Sequence, residues 1–483
     1  MEKSPAGRPF YITTPIFYPN ANPHMGHAYT MTVADILARF HRLKGDDVYF
    51  LTGVDENTEK VVRAAKVAGQ NTEKYLDSVV SNFKNLFASD KLNISYDQFI
   101  RTSDSVTHWP GAQEVWRLLV ASGDIEKRSY EGFYCVGHEA FVTEKDLVNG
   151  KCPDHGEAPE KLKEENYFFR LSRYTERIKE KIKSGEMAII PESRKNEILA
   201  LLERGLEDVS FSRPASKVSV GIPVPGDPTQ KMYVWCDALS NYITALGFGR
   251  EDGKLFAKFW PADLHIIGKD ILRFHAAIWP GMLLSAGLPL PKKLLVHGFI
   301  TSGGVKMSKT LGNVIDPKGL IDEYGGEAVR YYLARHIHPF EDGDITAEKF
   351  KEAYNANLAN GLGNLASRVM KLAEMYLPGP VTVPPDTIPQ NFKDALDKCE
   401  IQKATDILWQ FITSLDESIQ KTEPFKLVKT DRAAGIKIIE ELTVNLYTVA
   451  RMLNPILPET MEKIKKAVKE NKMPEKPLFP RFT

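Results

Sequence analysis

Between residues 10 and 52 the chain reads strand, helix, strand, and this order constrains the fold more than any other feature. Phe10-Tyr11-Ile12-Thr13-Thr14 is aromatic and β-branched, and Pro15 is expected to stop it. After a Pro/Asn-rich loop to Pro23, Val33, Ile36, Leu37 and Phe40 recur at helical spacing in a segment from about Gly26 to Leu43. Gly45 ends that helix, and Val48-Tyr49-Phe50-Leu51-Thr52 reads as a second buried strand. Two strands joined through a helix predict a parallel sheet with right-handed crossovers.

The chain has 483 residues, enough for about three packed units of ~150 residues. Lys plus Arg and Asp plus Glu both total 63, which excludes a uniformly basic nucleic-acid coat. No stretch approaches the ~18 apolar residues of a membrane helix, and MEKSPAGRPF lacks the apolar core of a secretory signal. Four cysteines are too few for a disulfide framework. A cytoplasmic protein with no membrane and no DNA partner is therefore expected.

The pattern changes after about Ile125. Residues 126–215 read as an insertion with a charged helical stretch from Leu162 to Ser184. Strand-like runs at Met232–Trp235, Leu264–Ile267 and Leu294–His297 are expected to resume the parallel sheet. From about Asn355 the β signal ends. Helical segments at 357–376, 391–420 and 432–453, separated by Pro378 to Pro389 and by Pro424, predict a helical bundle.

Four constellations carry chemistry. In His24-Met25-Gly26-His27 the histidines are i and i+3, so they share a face of the first helical turn, where the dipole favours phosphate. Gly26 removes a side chain where a ligand base would press on backbone. The plain alternative is two surface histidines near a cap. Gly303-Gly304-Val305-Lys306-Met307-Ser308-Lys309-Thr310 describes a flexible loop bringing two cations onto one anionic group, or else a solvated basic loop. Cys135-Val136-Gly137-His138 and Cys152-Pro153-Asp154-His155 have the spacing of a Cys2His2 site for structural Zn2+, against the alternative of a metal-free knuckle. Asn364 and Arg368 are i, i+4 on one helix face, although a capping Asn and a surface Arg would look the same.

The order of HxGH on the first helix and KMSK far downstream resembles class I aminoacyl-tRNA synthetases. TTPIFYPNANPHMGHAYT, FLTGVDE, FIRTSD, ENYFFRLSRY, YVWCDALSNY, HIIGKDILRFHAAIWPGML, LVHGFITSGGVKMSKTLGN and NLASR narrow the resemblance to methionyl-tRNA synthetases, over nearly the whole chain. That resemblance implies an α/β fold. A Rossmann-type catalytic domain (8–125 and 216–300) would be interrupted by a zinc-bearing connective insertion (126–215). A linking region with the KMSK loop (301–355) and an all-α anticodon-binding domain (356–483) would follow.

It also implies the reaction: L-methionine and ATP, with Mg2+, give methionyl-adenylate, and the acyl group passes to tRNA(Met). By resemblance, His24 and His27 stabilise the triphosphate, and Lys306 and Lys309 close over the leaving pyrophosphate. Gly26, Lys269, Asp270, His297 and Gly298 would bind the rest of ATP. Ile16, Tyr18, Trp235, Leu239, Tyr242, His275 and Ile278 would line the methionine pocket, with Asp55 on the ammonium group. On residues alone, Trp235 and Tyr242 read as ordinary core. Asn364, Arg368 and Phe425 would read the anticodon.

The chain departs from the family pattern at Asn57-Thr58, where His-Gly is common, and at Thr310, His138 and Phe425, where Ser, Cys and Trp are commoner. It ends at residue 483 without an appended β-barrel, so a monomer is expected. Two rivals are another class I enzyme and a catalytically dead paralogue that binds RNA. The ninety or so residues of the insertion are too few for the editing domain of leucyl, isoleucyl or valyl types, and a cysteinyl type would hold zinc in its amino-acid pocket. The intact His and Lys pairs argue against a dead paralogue.

Overall fold

The structure is a computed structural model describing residues 7–482, apart from 136–139, 143, 145–146, 154–155, 307–314 and 386. The chain forms two compact units: Met1–Pro23, Asp47–Lys84 and Tyr96–Val296 make the first, and His24–Asp46, Asn85–Ser95 and His297–Thr483 the second. Among the described residues no helix is long and apolar enough to cross a membrane.

The first unit is built on a six-stranded sheet of β1 (Pro9–Phe17), β2 (Asp47–Val54), β3 (Gln98–Arg101), β4 (Ala188–Ile190), β5 (Leu264–Gly268) and β6 (Lys293–His297). Edge to edge the order is β3-β2-β1-β5-β6-β4. β1 pairs in parallel with β2 and β5, β2 with β3, and β6 with β4. Near-continuous burial of β2, β5 and β6 explains their unbroken apolar sequences, because a parallel sheet of this kind is covered on both faces. The predicted Rossmann-type α/β core is present.

Several local expectations fail. β1 does not stop at Pro15 but runs to Phe17. Its register on β2 shifts between Thr13 and Ile16, so Pro15, which has no N–H to give, sits at the irregularity. The stretch from Leu162 is not helical: Glu160–Phe169 is a strand, paired antiparallel with Ile125–Cys135 from Ile125↔Phe169 to Tyr134↔Glu160. Lys161, Lys163 and Glu165 form the exposed face of this strand instead of marking a solvated helix. Glu164, on the buried side, is held by Arg213 at 2.7 Å. The helix is confined to Thr175–Lys183.

Met232–Trp235 does not rejoin the parallel sheet. Asp227–Met232 belongs to a separate antiparallel sheet with Ser212–Pro214 and Pro223–Val224, and Val234–Thr244 is already helix, with Asp237 in its first turn complementing the dipole. β4, in contrast, comes from within the stretch read as an insertion and forms an edge of the main sheet.

The second unit holds the helix Met25–Leu43 and the C-terminal bundle. A small sheet pairs Ile300–Ser302 antiparallel with Val305–Lys306 and parallel with Gly343–Asp344. In the bundle, a π-type turn over Tyr354–Gly363 leads into the helix Asn364–Tyr376, and Arg432–Leu453 is helical as expected. The segment 391–420 is not one helix. It divides into Gln390–Asp397 and Ile401–Thr422 around Cys399, whose φ is +61°.

Candidate active site

At the start of the helix Met25–Leu43, His24 and His27 cap the helix reciprocally. His24 Nδ1 accepts the Gly26 N–H at 3.1 Å, and His27 Nδ1 accepts the His24 N–H at 3.0 Å. The rings stack with centroids 3.8 Å apart. Desolvation lowers the pKa of His24, and pushes His27 well down with help from the adjacent His24 ring. Both imidazoles are therefore neutral at pH 7. With Nδ1 accepting in each, the ring proton lies on Nε2, the atom with which a phosphate oxygen would bond. Gly26 has a second reason to be glycine: a Cβ there would lie 2.9 Å from His24 Cε1 and break the cap. The two histidines expected to share one face of the first helical turn thus also cap it.

His297 belongs to the same unit and is tied to this helix. Its Nε2 lies 2.9 Å from Thr30 Oγ1, which also reaches the Gly26 carbonyl, and Tyr29 packs edge-on at 5.3 Å. A Cβ on Gly298 would fall 2.2 Å from the Glu341 carbonyl oxygen, so only glycine fits. Gly303 and Gly304, at φ +62° and +76°, turn the hairpin that carries Lys306, and Asp344 Oδ1 accepts the Gly304 N–H at 2.8 Å. Lys309 lies outside the described residues.

In the first unit, candidates lie at or just past the carboxyl ends of parallel strands: Ile16 within the last pairs of β1 with β2 and Tyr18 after it, Asp55 after β2, and Lys269 and Asp270 in the turn after β5. β1 and β5 flank the point where the strand order reverses, the place where open α/β sheets bind ligands. Lys269 is half-buried and Asp270 exposed. Trp235, Leu239, Tyr242 and Ile278 share one apolar cluster, against which Ile16 and Tyr18 pack. Lys60 Nζ sits 4.1 Å above the Tyr18 ring.

Burial lowers the His275 pKa to about 4, so its ring is neutral. Its Nδ1 lies 3.0 Å from the Ile271 carbonyl, which can only accept, so Nε2 accepts the Tyr242 O–H at 2.8 Å. Tyr242 and His275 thereby satisfy each other without charge, leaving an aromatic surface suited to a soft, weakly polar group. Trp235 lies flat on Phe274, with centroids 3.7 Å apart and planes at 9°. Phe274 was missed by the sequence reading, although it adjoins His275. Also missed were Thr102, His108 and Asp237. Thr102 Oγ1 donates to the buried Asp55 Oδ1 at 3.2 Å, while the neighbouring Glu56 is paired with Arg101 at 2.8 Å.

In the bundle, Asn364 is exposed, Arg368 forms an ion pair with Asp416, and Phe425 is 41% exposed after Pro424 opens its helix. Cys135 closes a strand and Cys152 opens a turn by accepting the Gly156 N–H, and both cysteines are buried. His138 and His155 lie outside the described residues. Among the described residues no group of three or more His, Cys, Asp or Glu is placed to hold a metal.

A sequence profile described as tRNA synthetases class I (M) matches residues 10–160 and 144–370. On a parallel sheet of this order it sets the class, the class I tRNA synthetases. A methionine–tRNA ligase from Clostridium acetobutylicum is 44% identical over 472 residues, covering 94% of this chain and 72% of that protein. One from Thermotoga maritima is 40% identical over 485 residues, covering 97% and 76%. The chain belongs to the methionine–tRNA ligase family. A solved structure of Mycobacterium tuberculosis methionyl-tRNA synthetase in complex with methionyl-adenylate superposes with a TM-score of 0.90 at 36% identity, covering 98% of this chain and 100% of that one. The apo form of that enzyme gives 0.83 at 33% identity, covering 99% of each.

Proposed function

We propose that this chain activates L-methionine with ATP and transfers the methionyl group to tRNA(Met). A methionine carboxylate oxygen attacks the α-phosphorus, and the bond to pyrophosphate breaks as the mixed anhydride forms. A ribose hydroxyl of the tRNA terminus then attacks the acyl carbon and AMP leaves. Neither step needs a covalent protein intermediate, so alignment and charge stabilisation supply the catalysis.

His24 and His27 donate from Nε2 to the triphosphate, which their neutral state and Nδ1 caps support. Lys306 and Lys309 act on the leaving pyrophosphate, Lys269 and Asp270 on the ribose side, and His297 and Gly298 at the adenine. Mg2+ arriving with ATP would offset the phosphate charge. Asp55 binds the ammonium group, and Ile16, Tyr18, Trp235, Leu239, Tyr242, His275 and Ile278 select the thioether by shape and ring contacts. Asn364, Arg368 and Phe425 meet the anticodon. Their exposed or half-exposed positions on bundle helices suit that role. Buried Cys135 and Cys152 are soft donors that fit a structural Zn2+ completed by His138 and His155. The chain acts as a single copy.

The observation that carries the reading is the uncharged Trp235–Tyr242–His275 cluster in the same unit as the buried Asp55 carboxylate. ATP–pyrophosphate exchange with methionine against a panel of other amino acids tests it. Exchange driven by methionine alone is expected, and exchange driven equally well by leucine or cysteine would overturn it.

A further inference from the structure

Behind Asp55 runs a buried polar chain whose members come from separate stretches of sequence. Asp237, 0% exposed, accepts Asn57 Nδ2–H on Oδ2 at 2.7 Å and faces His108 Nε2 with Oδ1 at 2.6 Å. His108, also 0% exposed, places Nδ1 2.7 Å from Thr244 Oγ1. Asn57 Nδ2 also donates to the Thr102 carbonyl at 2.9 Å, and the Thr102 hydroxyl, which accepts the Glu56 N–H, donates to Asp55. Two consequences follow from this connectivity. His108 grips the helix Val234–Thr244 at Asp237 and Thr244, seven residues apart, which fixes the helix's rotation. Asn57 then ties that helix to the loop bearing Asp55.

The same helix presents Trp235, Leu239 and Tyr242. We propose that Asn57, His108 and Asp237 are positioning residues that set the span between the Asp55 carboxylate and the thioether-lining helix, and so the side-chain length the enzyme accepts. This rests on the roles given above to Asp55 and Trp235. The physical reason is that a thioether offers no strong hydrogen-bond handle, so one methylene more or less is told apart only by where the walls stand. A buried carboxylate with two donors, each fixed at its far end, holds those walls more rigidly than apolar contact does, because losing either partner strands a buried polar group.

The test is pyrophosphate exchange by wild type, Asn57→Ala, Asn57→His and His108→Gln, each with methionine, ethionine and S-methylcysteine. Asn57→Ala and His108→Gln are expected to raise the KM for methionine about tenfold and to flatten the preference among the three amino acids, while the KM for ATP stays within about twofold. Asn57→His, which keeps an N–H donor for Asp237, is expected to restore most of the preference. Unchanged methionine KM and preference in folded Asn57→Ala and His108→Gln would overturn the proposal. So would a parallel rise in both KM values, or loss of folding in both variants, since either result makes the network scaffold alone. A wild-type protein that fails to exchange with methionine sinks the proposed function itself, whereas a normal wild type with unaltered variants sinks only this inference.

Discussion

Arg330 and Asp35 form an ion pair with no solvent exposure on either side chain, Nη1 lying 2.7 Å from Oδ2. The guanidinium also donates to the carbonyls of Leu92, Pro455 and Ile456. Asp35 in turn accepts from Arg39 and from the Ser95 N–H and hydroxyl. Burial alone would raise the Asp35 pKa, but the Arg330 and Arg39 charges and the Ser95 bonds hold it below its ordinary value. One side chain thus fastens the helix Met25–Leu43, the 85–95 segment and the turn at Pro455-Ile456 that follows the helix Arg432–Leu453 into one unit.

Removing Arg330 leaves the buried Asp35 carboxylate to Arg39 and Ser95 and strands the carbonyls of Leu92, Pro455 and Ile456. Arg330→Ala is therefore expected to lower unfolding stability by about 3–5 kcal/mol. The double variant Arg330→Met/Asp35→Leu should recover part of that loss. Urea melts check both, and a single variant that melts like wild type would show that the pair contributes nothing.

His24 combines a cap with a donor, and the two separate by substitution. His24→Asn keeps a capping acceptor but loses Nε2–H, so stability should hold while exchange kcat falls roughly 100- to 1000-fold. His24→Ala should lose a further ~1 kcal/mol of stability through the cap. Equal kcat in His24→Asn and wild type would reduce the residue to a cap.

His275 titrates near 4 in the fold against an ordinary value of 6.5. Below pH 6.5 the unfolded chain therefore binds a proton that the folded chain does not. Stability from this group is complete above pH 6.5, declines as the pH falls, and levels off near pH 4, a total of about 3 kcal/mol. His27 and His265, also lowered by burial, act in the same direction. Urea midpoints between pH 7 and 4 should show this slope, and His275→Gln should flatten it. An unchanged slope would mean that the folded ring is protonated.

Arg368 is paired with Asp416 on partly exposed helix faces, so its contribution to stability is small. Arg368→Ala is expected to reduce tRNA charging about tenfold or more and to leave pyrophosphate exchange unchanged. Equal losses in both assays would make the residue structural.

Purified protein is expected to carry about one zinc per chain, and strong chelation should lower its melting temperature. Metal analysis finding well under one zinc would remove the knuckle.

What was legible in the sequence and what was not differ in range. β2, β5 and the helices Met25–Leu43 and Arg432–Leu453 were visible because an apolar run or a 3.6-residue period is written into neighbouring residues. Glu160–Phe169 is not legible as a strand because that identity depends on the partner Ile125–Cys135, and its dense charges look like a solvated helix until the pairing exists. Trp235 was placed in a strand for a similar reason: aromatic and β-branched neighbours favour a sheet until the burial of Val234–Thr244 on all sides decides for helix.

The sequence by itself determined the strand–helix–strand opening, the HxGH cap and the candidate residues of each motif, since these depend on groups within a few residues of one another. Tertiary structure alone decided the edge strand β4, the neutral pairing of Tyr242 with His275, the Asn57–Asp237–His108 chain and the burial of Arg330. The physical reason is desolvation. A polar or charged group enters the interior only when its partners arrive with it, and here those partners come from distant parts of the chain, so no local pattern marks them.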